Sequence, residues 1–241
     1  VTDTSSGART GWTCSYDVVT GDTAGLVGFT IDAFDRSGNE LVTVNQTGDS
    51  TTMSIDMEAP TLTVTQSPAA QDHVKAGDTV TLTIASNESL KAAPTCSFST
   101  TTDAGTTLTS ITGTAPSITD TSGGAWTDWT CAYTMATTDT DGVVYYTIVA
   151  NDLAGNTTTQ DTSTNITFDN TIPTLTDVRI ESSNGDPTLA MPDDIVTLTI
   201  VANEPINRPI CTFSTGGALV SGNITVTNDS STEVVESCSA T

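Results

Sequence analysis

The sequence predicts an all-β protein built as tandem antiparallel β-sandwiches with disulfides. Three observations predict it. Apolar residues alternate with threonine over short runs, the chain repeats itself about every 115 residues, and cysteines recur at matching places in the repeat.

The elements follow in chain order. "VTDTSSGARTGWTCSY" (Val1 to Tyr16) aligns without a gap on "ITDTSGGAWTDWTCAY" (Ile118 to Tyr133). "AGLVGFTIDAFDRSGN" (Ala24 to Asn39) aligns on "DGVVYYTIVANDLAGN" (Asp141 to Asn156). In these runs Phe29, Ile31 and Ala33 correspond to Tyr146, Ile148 and Ala150, every second residue, as a strand requires. "IDMEAPTLT" (Ile55 to Thr63) aligns on "FDNTIPTLT" (Phe168 to Thr176). "GDTVTLTIASNESLKAAPTCSF" (Gly77 to Phe98) aligns on "DDIVTLTIVANEPINRPICTF" (Asp193 to Phe213). Val80, Leu82 and Ile84 then share one face and the threonines the other. The chain holds 53 Thr and 23 Ser, and β-branched Thr suits a half-wet pleated surface. Gly, Asn and Asp clusters punctuate the runs as turns. No segment has a helical period.

These alignments set the domain organisation. Residues 58–170 form one complete repeat. Residues 1–57 read as the C-terminal half of a repeat and residues 171–241 as the N-terminal half of one. Extended forward from Cys211 without gaps, Thr241 falls at the position of Trp126. Each half is expected to expose apolar sheet faces and unpaired edges. The sequence does not open on Met and carries no leader, so it reads as a processed or excerpted piece. The missing strands come from a neighbouring copy, or the 241 residues are a window on a longer tandem chain.

The order "Asp-x-x-x-Pro-Thr-Leu-Thr", "Gly-Asp-Thr-Val-Thr-Leu-Thr" and "Asn-Asp-x-Ala-Gly-Asn" resembles the tandem bacterial-type Ig-like repeats of extracellular surface, adhesin and filament proteins. The resemblance covers essentially the whole chain. It implies an Ig-like sandwich and an extracellular rod or stalk.

There are five cysteines, Cys14, Cys96, Cys131, Cys211 and Cys238. Cys96 ("TCSF") and Cys131 ("WTCAY") lie in the uninterrupted repeat and are predicted to bond across facing strands. Cys14 matches Cys131, and Cys211 matches Cys96. Cys238 ("ESCSAT") lacks the Trp-Thr-Cys-x-Tyr setting. It is either a degenerate second cysteine bonded to Cys211 or an extra one. In a head-to-tail assembly Cys14 of one copy could bond Cys211 or Cys238 of the next. Disulfides imply an oxidising, extracellular setting.

The net charge is −23, with only 6 basic residues. Nucleic acid and anionic membranes are poor partners for such a surface. No apolar run approaches the ~20 residues of a membrane span. N-glycosylation sequons fall at Asn45, Asn87, Asn156, Asn165, Asn223 and Asn228. No cofactor is expected. Calcium is the one ion worth weighing, because oxygen-bearing turns recur near the repeat junctions at Asp32, Asp35, Asn39 and Asp56, and at Asn151, Asp152, Asn156 and Asp169. The same residues are ordinary turn formers. Catalysis has little to draw on. The single histidine, His73, reads as an exposed loop residue, and no phosphate loop, nucleophile elbow or CxxC is present. Trp12 and Trp129 are equivalent and read as packing against the cystine, while Trp126, replaced by Arg9 in the other copy, reads as surface.

The expected function is therefore structural and not enzymatic: a subunit or repeat of an extracellular filament, pilus-like fibre or flagellar hair, partnered by itself head to tail. The alternatives are an adhesin stalk and an array of carbohydrate-binding modules.

Overall fold

The computed structural model describes residues 1–69, 72–100, 113–219, 224–228 and 235–240; the side chains of residues 226, 228 and 235–240 lie outside that description. All the regular elements among the described residues are strands. The chain divides into two units, Val1–Asp169 and Asn170–Thr241.

The first unit opens with short pieces. β1 (Thr2–Asp3) pairs with β2 (Trp12–Thr13), and β3 (Gly25–Leu26) pairs with β4 (Ser54–Ile55). Single bridges join Ile31 to Val44 and Phe34 to Glu40. No residue of 1–57 is buried. With no second sheet to cover it, the alternating pattern of this segment folds locally but makes no core.

The same unit continues into a closed sandwich. Its strands are β5 (Leu62–Ser67), β6 (His73–Val74), β7 (Thr79–Ser86), β8 (Thr95–Ser99), β9 (Ser117–Asp120), β10 (Asp128–Thr134), β11 (Gly142–Asn151) and β12 (Thr157–Phe168). They form two four-stranded sheets, ordered β5-β7-β10-β9 and β6-β12-β11-β8. This is the strand order of an Ig-like sandwich. The chain changes sheet between β5 and β6 at a cis Ser67–Pro68 bond. His73, expected in a loop, lies in β6, exposed as expected. Val80, Leu82 and Ile84 of β7 are wholly buried and face Val144, Tyr146, Ile148, Ile166 and Phe168 from the other sheet. The threonines between them point outward, as the alternation predicts.

The second unit carries β13 (Leu175–Ser182), β14 (Val196–Ala202), β15 (Ser214–Thr215), β16 (Ala218–Leu219), β17 (Ile224–Asn228) and β18 (Val235–Ala240). One sheet of order β13-β14-β18-β17 forms, beside a tight β15-β16 hairpin turned by Gly216 and Gly217 at positive φ. Its register repeats that of the sandwich. Val178 lies opposite Ile200 as Val64 lies opposite Ile84. Leu198 lies opposite Cys238 as Leu82 lies opposite Cys131. Backbone position thus makes Cys238 the counterpart of Cys131. The gapless extension is corrected: β18 corresponds to β10, so the chain reaches one strand further through the repeat than the sequence count suggested. The sequence hides this because the connection before β17 is shorter than its counterpart and the Trp-Thr-Cys-x-Tyr context is gone.

Candidate functional site

Two features carry functional interest: a pair of open apolar faces and an acidic cluster. The first follows from what each strand has to bond with. β8 is a strand because β11 hydrogen-bonds it from Ser99↔Tyr145 to Thr95↔Val149. Its counterpart, residues 210–213, pairs with no strand among the described residues and is not itself a strand; Ile210 there is almost fully exposed. On the sheet of the second unit, Val178 and Ile180 are 53% and 63% exposed, on the face where Val64 packs against the sandwich core, while Ile200 opposite Val178 and Ala202 further along the same strand are buried. In residues 1–57 the complementary set is bare. Ile31 is 47% exposed where Ile148 is at 0%, and Val27 and Phe29 are exposed where Val144 and Tyr146 are buried. Val27, Phe29 and Met53 line a cleft of about 580 Å³. Asn45 lines it too.

The acidic cluster sits where residues 1–57 meet the sandwich. Asp56, Glu88 and Asp152 each place one carboxylate oxygen within 4.8 Å of the others. Asp152 is wholly buried in the turn after β11. The Gly155 and Asn156 backbone amides donate to it at 2.6 and 2.8 Å, and the Asn156 side-chain amide at 2.7 Å. Burial opposes its charge, but these hydrogen bonds outweigh burial and hold its pKa below the usual value. Glu88 is pushed the other way, by burial first and then by the charges of Asp152, Asp56 and Glu58. Three such oxygens could share a hard cation such as calcium. Of the residues weighed for calcium, the fold brings together Asp56, Asp152 and Asn156, the last through its amide nitrogens. Asp32 instead accepts a hydrogen bond from the Thr43 hydroxyl, and Asp35 closes its own turn with Asn39. Glu88 was missed. Only the fold, which sets the turn after β7 against the turn after β11, reveals it.

The cysteines fall as follows. Cys96 and Cys131 form a disulfide between β8 and β10, tying one sheet to the other. Cys211 is also disulfide-bonded. Cys14 is free and exposed. The side chain of Cys238 lies outside the described residues. Trp129 is buried in the core, where Trp126 meets it edge to face. Trp12, its equivalent, is exposed: the position has the same sequence context but no opposing sheet.

Among the sequons, Asn45, Asn87 and Asn165 are exposed. Asn87 accepts a hydrogen bond from the Thr61 amide through its side-chain oxygen, which leaves its nitrogen for modification. The Asn156 nitrogen, by contrast, donates to Asp152 and to the Asp56 carbonyl. Asn223 and the Asn228 side chain lie outside the described residues. No described helix is long and apolar enough to cross a membrane.

No family model matches the chain, and no curated protein matches it. Among solved structures, a marsupial T cell receptor is similar at 10% identity and a TM-score of 0.33, over 77% of this chain and 86% of that one.

Proposed function

We propose that this chain is a structural repeat of an extracellular filament, such as a pilus-like fibre or flagellar hair of the bacterial surface-protein type. Its sandwiches are stapled by disulfides and joined head to tail, by strand complementation between copies or along one long tandem chain. The role is mechanical, and the partner is the same sequence. One observation carries the reading: a closed sandwich is flanked by two segments that leave apolar residues exposed, Val27, Phe29 and Ile31 where the sandwich buries Val144, Tyr146 and Ile148, and Val178 and Ile180 on a strand whose neighbour keeps Ile200 buried. Exposed apolar faces of this kind mark interaction surfaces. Cystine in the core suits an oxidising exterior, and exposed sequons suit covalent glycans.

A second reading is the stalk of a cell-surface adhesin. The Pro-containing junctions at 56–60 and 169–173 favour it, because they string repeats together with little slack. Electron microscopy of the native material separates the two. Long uniform fibres are expected; isolated flexible rods would overturn the filament in favour of the stalk. Capture by immobilised glycans, with no fibres, would overturn both in favour of a carbohydrate-binding array.

A further inference from the structure

Resting on the filament reading, we infer that the open sheet of residues 170–241 is closed by residues 24–57 of a second copy, and that residues 1–17 of that copy stay outside the joint.

The acceptor is defined by its likeness to the closed sandwich. The sheet β13-β14-β18-β17 has the order and register of β5-β7-β10-β9. In the sandwich, β11 and β12 cover that face. The donor follows from the sequence: Ala24 to Asn39 aligns on Asp141 to Asn156, which spans β11, and Ile55 aligns on Phe168, the last residue of β12. The donor's Val27, Phe29 and Ile31 are the bare counterparts of the buried Val144, Tyr146 and Ile148.

The register is inherited. β11 meets β8 with Tyr146 opposite Phe98, Thr147 opposite Ser97 and Ile148 opposite Cys96. The equivalent positions set Phe29 opposite Phe213, Thr30 opposite Thr212 and Ile31 opposite Cys211. Residues 210–213 then become a strand on gaining this neighbour, and the contact is β-augmentation with apolar side chains beneath it.

Residues 1–17 are excluded by occupancy. Val1 to Tyr16 aligns on Ile118 to Tyr133, which contains β9 and β10. The acceptor sheet already holds that pair as β17 and β18, with Val226 opposite Cys238 as Ile118 is opposite Cys131. One position cannot hold two strands. Cys211 already has a partner, so the joint needs no Cys14 bond to it.

The test uses the full chain with Cys14→Ser, Thr30→Cys and Thr212→Cys under mild oxidation. Thr30 and Thr212 are exposed, so the substitutions leave the sandwich core intact. The expected result is a ladder of linked oligomers on non-reducing gels that collapses with reductant, with no ladder when Ser37→Cys replaces Thr30→Cys. A linked monomer would mean that the segment closes on its own chain, and no link at all that the register is wrong; either overturns the inference. In assembled wild-type protein, Cys14 is expected to react fully with iodoacetamide, and protection there would place residues 1–17 inside the joint. Native fibres without the ladder would sink this joint and leave the filament standing. The ladder without native fibres would do the reverse.

Discussion

Tyr133 and Tyr16 occupy matching places and make the same bond, yet only one of them is in a core. The Tyr133 hydroxyl donates to Asp139 at 2.8 Å, and the Tyr16 hydroxyl to Asp22 at 2.6 Å. Asp152 and Asp35 likewise each close a turn on the asparagine four residues on. Thr61 and Thr174 each donate a backbone amide to an asparagine, Asn87 and Asn203. Turn chemistry therefore forms whether or not a sandwich surrounds it, because its donors and acceptors lie close along the chain or across one sheet. Burial does not. Tyr133 is buried and Tyr16 is exposed, because burial needs the second sheet that residues 1–57 lack.

The sharpest way to break this comparison is to make one substitution at two equivalent positions. Ile148→Ala opens a cavity in a close-packed core and should cost about 2–5 kcal/mol in denaturant unfolding. Ile31→Ala in the dilute monomer should cost less than about 0.5 kcal/mol. Equal costs would mean that residues 1–57 have a core of their own. Next in size is the cystine. Cys96→Ala with Cys131→Ala reopens a loop closed across 35 residues and should lose roughly 3–4 kcal/mol, read as a lower midpoint in urea. The smallest effect is alkaline. Burial, reinforced by the bond to Asp139, pushes Tyr133 up to about 12, against an ordinary 10.0. The fold thus holds this proton where the unfolded chain releases it. Its contribution is complete below pH 10 and is lost as pH rises toward 12, on the order of 2–3 kcal/mol. Tyr133→Phe should flatten that slope, while Tyr16→Phe should flatten it less, because its exposed hydroxyl is raised in the same direction chiefly by the bond to Asp22.

Much of the fold was legible because β-structure writes its faces into the sequence at period two. Val80, Leu82 and Ile84 announce a buried face, and the fold buries all three. The Cys96–Cys131 bond was legible from a single uninterrupted repeat. What stayed hidden depended on partners distant in sequence. Trp12 carries the same local sequence as Trp129, and nothing in that stretch says whether an opposing sheet exists. Cys238 lost the residues that mark its counterpart, so only the ladder to Leu198 identifies its place. Glu88 joins Asp56 and Asp152 through the fold alone.

The short strand β6 runs parallel to the end of β12, with Thr167 beside His73 and Phe168 beside Val74. Tension along the molecule would draw these two strands past each other lengthwise. Their hydrogen bonds would then resist as a set rather than break singly from an end. Should they fail, the cystine behind them still holds back the chain between its ends, a separation of 35 residues and about 120 Å of contour at full extension. A pulled repeat would therefore lengthen by about 120 Å less with the cystine intact than after a reductant has cut it.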